Sequence, residues 1–116
     1  FAAPINIFSL AYPEKSSNWT NRFQMFATEN MWTFILLDSY NGRLWQVQYS
    51  TQDLDNLFCI PINKYELVEN NERCIFSIQP LTSMYQYYLI NDNTGDMWKF
   101  QWSTKGDDYR WIERFR

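Results

Sequence analysis

Gly42-Arg-Leu-Trp-Gln-Val-Gln-Tyr-Ser-Thr51 and Gly95-Asp-Met-Trp-Lys-Phe-Gln-Trp-Ser-Thr104 are one segment written twice, and their reading decides the fold. In each, large apolar residues alternate with polar ones: Trp45, Val47 and Tyr49 in the first, Trp98, Phe100 and Trp102 in the second. Period two places alternate side chains on opposite faces of a strand, whereas a helix would space them by three or four. Outward from this segment, residues 22–51 overlay residues 75–104 at a constant offset of 53, without gaps, and eight of the 30 pairs are identical. These are Phe23/Phe76, Met31/Met84, Leu36/Leu89, Gly42/Gly95, Trp45/Trp98, Gln48/Gln101, Ser50/Ser103 and Thr51/Thr104. The chain is an internal duplication.

Each copy reads as four strands. Trp32–Leu37 and Tyr85–Ile90 are apolar on both faces, as a central strand covered on both sides would be. Between them and the Trp-bearing strands lie Asp38-Ser-Tyr-Asn-Gly42 and Asn91-Asp-Asn-Thr-Gly95. There an Asx side chain can open a tight turn and Gly can take a left-handed conformation. A preceding strand, Arg22–Met25 or Ile75–Ile78, and a following one, Phe58–Ile62 or Tyr109–Phe115, complete the set. The fold expectation is all-β and antiparallel: two tandem four-stranded units packed as one eight-stranded barrel or sandwich. The boundaries are an N-terminal arm at 1–20, unit 1 at 21–62, a polar connector at 63–73 and unit 2 at 74–116. Residues Ile5–Phe8 of the arm are a candidate extra edge strand. One domain is expected, since a single unit of about 50 residues cannot cover its own apolar face.

Composition narrows the chemistry. Ten Lys and Arg stand against 13 Asp and Glu, and no stretch concentrates positive charge, which argues against a nucleic-acid binder. No run approaches the roughly 18 apolar residues of a membrane-spanning helix. The chain has no histidine, which removes the usual base of Ser-His-Asp and Cys-His nucleophiles. Two cysteines, Cys59 and Cys74, match no zinc pattern and read either as a disulfide or as free thiols. No cofactor or metal is implied. Asn91–Asp96 is rich in oxygen donors without the spacing of a calcium loop, and its counterpart Asp38–Arg43 lacks most of the acids, so turn formation is the shared role. The opening Phe-Ala-Ala-Pro is consistent with a processed, exported protein.

Asn30-Met-Trp-Thr-Phe-Ile-Leu-Leu-Asp38 followed by Gly42-Arg-Leu-Trp-Gln-Val-Gln-Tyr-Ser50 resembles a repeat in small, internally duplicated β-proteins of Bacteroides-type gut bacteria. Ser83–Ser103 follows the same pattern. The resemblance spans about half of the chain. It implies an exported protein (periplasmic, cell-surface or secreted) and no particular chemistry.

Function is expected to lie in binding rather than catalysis. Aromatic residues make up 20% of the chain, more than eight strands can readily bury, and exposed Trp, Tyr and Arg are favoured interface anchors. The first expectation is a protein-interaction module, engaging another protein or a second copy of itself, through Tyr85, Tyr87, Tyr88, Arg110, Trp111 and Arg114. The alternative is a glycan or small-ligand site built on the repeated aromatics Trp45, Trp98 and Trp102. Alternation bears on that choice: the preferred reading puts the Trp side inside, with Trp45, Val47, Tyr49, Trp98, Phe100 and Trp102 as core, and Gln46, Gln48, Lys99 and Gln101 facing outward. A third reading, a small carboxylate-dependent hydrolase, would draw on Asp53, Asp55, Asp107 and Asp108.

Overall fold

The computed structural model describes residues 22–49, 57–68 and 75–116. Eight strands run in chain order: β1 (Phe23–Ala27), β2 (Thr33–Asp38), β3 (Leu44–Gln48), β4 (Phe58–Pro61), β5 (Phe76–Pro80), β6 (Gln86–Asn91), β7 (Met97–Gln101) and β8 (Trp111–Arg114). They form two separate antiparallel sheets, each a simple meander with neighbours in sequence paired in space, β1-β2-β3-β4 and β5-β6-β7-β8. No closed barrel forms among the described residues. The Ile5–Phe8 segment lies outside them.

The duplication is reproduced strand for strand. Met25 pairs with Leu36, Leu36 with Trp45 and Trp45 with Pro61 in the first sheet. Ile78, Leu89, Trp98 and Arg114 hold the same places in the second. The hairpin turns repeat as well. Asp38 Oδ1 accepts from Tyr40 N at 3.1 Å, and Asn91 Oδ1 accepts from Asn93 N at 2.9 Å. Gly42 N donates to Asp38 O and Gly95 N to Asn91 O, both glycines at φ 79°, a left-handed conformation that costs other residues roughly 1–2 kcal/mol. Upstream, Asn30 Oδ1 and Ser83 Oγ accept from the backbone N–H two residues on, at Trp32 and Tyr85. Different side chains thus form the same turns.

Strand ends differ from the sequence reading by a residue or two. The last strand begins at Trp111, because Asp107–Tyr109 winds into a single 3-10 turn before it. The first strand of each copy runs on to Ala27 and Pro80.

The two sheets share one core, but they do not contribute equivalent faces to it. The second sheet buries its Trp face: Phe76, Ile78, Tyr87, Leu89, Trp98 and Phe100. The first sheet buries the opposite face, with Phe26, Ile35, Leu37 and Leu44 in the same cluster and Gln46 fully enclosed beside them. The expectation that Trp45, Val47 and Tyr49 would be core and Gln46 would face outward is therefore corrected. It holds for the second copy and is inverted in the first. The physical reason is that a β-strand with apolar residues on both sides can bury either, and the choice falls to whichever face the neighbouring sheet covers.

Candidate functional site: the open face of the first sheet

The face of the first sheet that none of the described elements covers is built from two cross-strand rows. One is Met25–Leu36–Trp45–Pro61 and the next is Ala27–Phe34–Val47–Cys59, each row lying directly opposite in the ladders and so on one side of the sheet. Phe23, Trp32 and Tyr49 extend it at the margins. Phe23 is 56% exposed, while Met25, Trp32 and Tyr49 are each exposed by more than a third. Phe34, Leu36, Trp45 and Val47 are half-buried. Clustered exposed apolar residues of this kind mark interaction surfaces, since isolated ones are ordinary and contiguous ones are not.

The aromatic geometry of this open face copies that of the core. Phe23 lies 6.4 Å from Trp45, tilted 48°, as Phe76 lies 5.7 Å from Trp98, tilted 52°. Trp32 meets Tyr49 at 5.3 Å as Tyr85 meets Trp102 at 4.7 Å. An arginine covers each repeated Trp: Arg43 stands 5.0 Å above Trp45, and Arg114 stands 5.6 Å from Trp98. At one edge Arg22 pairs with the buried Asp38 carboxylate through Nε and Nη2, both at 2.9 Å at closest, and this partner raises the already high pKa of the guanidinium. Arg22 also stacks near Phe23 and Tyr40.

The structure separates the residues that the sequence singled out. Tyr87, Trp98 and Trp102 are core side chains, and burial pushes the Tyr87 phenol above its ordinary pKa. Trp102 is fully enclosed and donates from Nε1 to Met84 O at 2.9 Å. Arg110 ties the sheets together: Nε donates to Gln46 Oε1 at 2.8 Å, Nη2 to Ser103 O and Nη1 to Asp107 Oδ1. Ser103 N donates to the same Gln46 oxygen at 3.1 Å. Arg114 pairs with Asp96 at 3.0 Å. Tyr88 and Trp111 lie half-buried on the outer face of the second sheet, Tyr88 edge-on to Phe115. Tyr85 is exposed at the rim of a pocket of about 220 Å³ bounded by Gln101, Trp102, Lys105 and Tyr109. Trp45 alone of the three repeated ligand candidates is open to a partner.

No known protein family matches this chain. No curated protein or solved structure is significantly similar to it either, so the site is read from its geometry.

The other candidate chemistries fare as follows. The oxygens of Asn91–Asp96 are engaged within the turn and its neighbours: Asn91 Oδ1 accepts from Asn93 N and Thr94 N, Asp92 from Ser77, and Asp96 from Thr94. Among the described residues no three His, Cys, Asp or Glu side chains converge on a metal-sized space. Of the acids proposed for hydrolysis, Asp107 and Asp108 are exposed, Asp107 paired with Arg110, and Asp53 and Asp55 lie outside the described residues. Cys59 is a free thiol on the open face, its pKa raised by partial burial, and Cys74 lies outside the described residues. No helix is long and apolar enough to cross a membrane among the described residues.

The residues that sequence reasoning passed over are Phe23, Met25, Phe34 and Leu36. Phe23 and Leu36 are identical in the second copy, where Phe76 and Leu89 are core, yet in the first copy they lie on the open face.

Proposed function

We propose that the protein is a non-catalytic interaction module that binds another protein through the open aromatic face of its first sheet. The observation that carries this reading is the inverted burial of the two copies. The positions that the second sheet encloses, Phe76, Trp98 and Trp102, are Phe23, Trp45 and Tyr49 in the first sheet, in the same ring contacts and with no sheet over them among the described residues, while Tyr85 and its counterpart Trp32 are exposed in both copies. On this reading the two sheets stack as a sandwich, and the uncovered face is a second sandwich surface awaiting its partner. A flat ladder of rows favours a protein surface over a small ligand. The pockets at the repeated positions, about 220 Å³ at Tyr85 and about 230 Å³ at Met84 and Tyr87, fall below the roughly 300 Å³ at which small-molecule sites begin, and the two larger hollows, about 460 Å³ beside Asp96 and Arg114 and about 340 Å³ beside Trp111 and Phe115, are shallow and lie on the second sheet, away from this face.

The test is a photo-crosslinking side chain, benzoylphenylalanine, placed at Met25 and, as a control, at the exposed Tyr65 outside the face. The expected result is a polypeptide adduct from position 25 and none from position 65. Absence of any polypeptide adduct at 25, with Trp fluorescence responding instead to added oligosaccharides, overturns the reading in favour of glycan binding.

A further inference from the structure

Two like units meeting through equivalent faces would bury the same residues twice and leave two copies of one and the same opposite face. Here they meet through unlike faces, the Trp face of unit 2 against the opposite face of unit 1. A contact of this kind is heterologous, and it leaves one copy of each face unsatisfied at the two ends of the pair. Unit 1 ends in an open Trp face. Unit 2 ends in an open copy of the face that unit 1 buries.

That second face keeps the apolar positions of its buried counterpart. Ile35, Leu37, Leu44 and Phe58 of the first sheet correspond, at the offset of 53, to Tyr88, Ile90, Met97 and Trp111 of the second. All four are half-buried and lie on its outer side, Tyr88 opposite Lys99 and Ile90 opposite Met97 in the ladder. The molecule therefore carries both halves of its own internal interface, one at each end.

A third observation comes from the link between the units. After β4 the chain is clasped onto the β2–β3 turn of the unit it leaves. Asn63 Nδ2 donates to Gly42 O at 3.0 Å, Asn63 Oδ1 accepts from Leu44 N at 2.8 Å, and Leu67 N donates to Asn41 O at 2.9 Å. The fit is close enough that a Cβ on Gly42 would lie 2.9 Å from Leu67. Among the described residues the equivalent turn of unit 2 is bare: a Cβ on Gly95 meets none of them within 4 Å, and Arg116 holds the sequence place of Asn63. The clasp sequence Pro61-Ile-Asn-Lys-Tyr-Glu-Leu67 recurs ahead of unit 1 as Pro4-Ile-Asn-Ile-Phe-Ser-Leu10.

Resting on the interaction reading above, we infer that the partner of the open face is a second copy of this chain, docked head to tail, with the Met25–Leu36–Trp45 row of one copy covering the Ile90–Met97 face of the next. A heterologous contact that repeats one operation closes into a ring or runs on as a filament. Four-stranded meanders stacked face to face close radially at about four to eight sheets, which is about two to four copies of a two-sheet chain.

Sedimentation of the wild-type chain, with the substitutions Met25→Asp and Ile90→Asp, tests this. The wild type is expected at two or more times the 14.2 kDa monomer mass. Each variant blocks one end and is expected as a monomer with an unchanged far-UV circular dichroism spectrum. Because Met25→Asp keeps an intact Ile90 face and Ile90→Asp keeps an intact Met25 face, an equimolar mixture is expected to recover a dimer and to stop there. A wild type that is monomeric at every concentration, or variants that do not complement, overturns the inference. The crosslink at Met25 stands in if a variant fails to fold. An adduct of twice the chain mass mapping to residues 88–97 supports head-to-tail docking. An adduct of any other mass overturns self-association and leaves the interaction reading intact, and no polypeptide adduct overturns both.

Discussion

Gly42 and Gly95 share a sequence position, a backbone angle and a hydrogen bond, yet their surroundings differ in a way that substitution can read. Alanine at either must hold a left-handed conformation, at a cost of about 1–2 kcal/mol. At Gly95 nothing more is lost, since the added methyl meets none of the described residues. At Gly42 it would also collide with Leu67 and with Phe76 at 3.1 Å, and overpacking of this kind adds roughly 1–3 kcal/mol. Urea denaturation should therefore rank Gly42→Ala well below Gly95→Ala in stability, and equal losses would show that the clasp yields freely. Tyr87 supplies a pH reading at the same scale. Burial raises its phenol above the ordinary value of about 10, so it contributes stability that is fully present below pH ~10 and lost as the pH rises through the folded value. Tyr87→Phe is expected to flatten the alkaline limb of the stability profile, whereas an unchanged limb would place that loss on another tyrosine.

Strands β1 and β5 begin with the same residue in the same register and meet opposite fates. Phe76 is 1% exposed and Phe23 is 56% exposed. Phe76→Ala should cost about 3–5 kcal/mol, as large-to-small core changes do. Phe23→Ala should cost no more than about 1 kcal/mol, the worth of its edge contacts with Arg22 and Trp45. Thermal unfolding of the two variants at equal low concentration decides the point, and comparable losses would mean that both faces of the first sheet are enclosed in the single chain. The comparison also locates what was legible in the sequence. The strands, the two Asx-to-Gly turns and the offset of 53 are local or nearly local features, written in period-two alternation and in Asp38, Asn91, Gly42 and Gly95 themselves. Which face of a sheet is buried is a relation between sheets. Phe26, Ile35, Leu37 and Leu44 are as apolar as Met25, Phe34, Leu36 and Trp45, so hydrophobicity could not choose between them. Repetition of Phe23 and Trp45 in the second copy pointed toward equivalent environments that a heterologous contact does not provide. Tyr85, Tyr88 and Trp111 were legible as surplus aromatics, but the sequence held no signal that Arg110 is consumed by Gln46.

At the scale of the whole molecule, that Gln46–Arg110 contact is the polar weld in an otherwise apolar seam. Gln46 is fully enclosed, and its Oε1 takes hydrogen bonds from Arg110 Nε and Ser103 N across the two sheets. Replacing it with Leu leaves two enclosed donors, one of them charged, without an acceptor, a loss of about 1–3 kcal/mol. Since neither four-stranded meander can cover its own apolar face, the loss should not be confined to the first sheet that carries the residue. Both sheets are expected to unfold together, in one transition whose midpoint moves as a unit in Gln46→Leu. Far-UV circular dichroism reports on all eight strands, whereas the fluorescence of Trp111, on the outer face of the second sheet and isolated in a background in which the other five tryptophans are changed to Phe, reports on the second sheet alone. Coincident midpoints by the two probes, displaced equally by Gln46→Leu, are the outcome that a shared core demands. A second-sheet signal that holds its midpoint while the circular dichroism transition shifts would mean that the sheets are joined in sequence but not in stability.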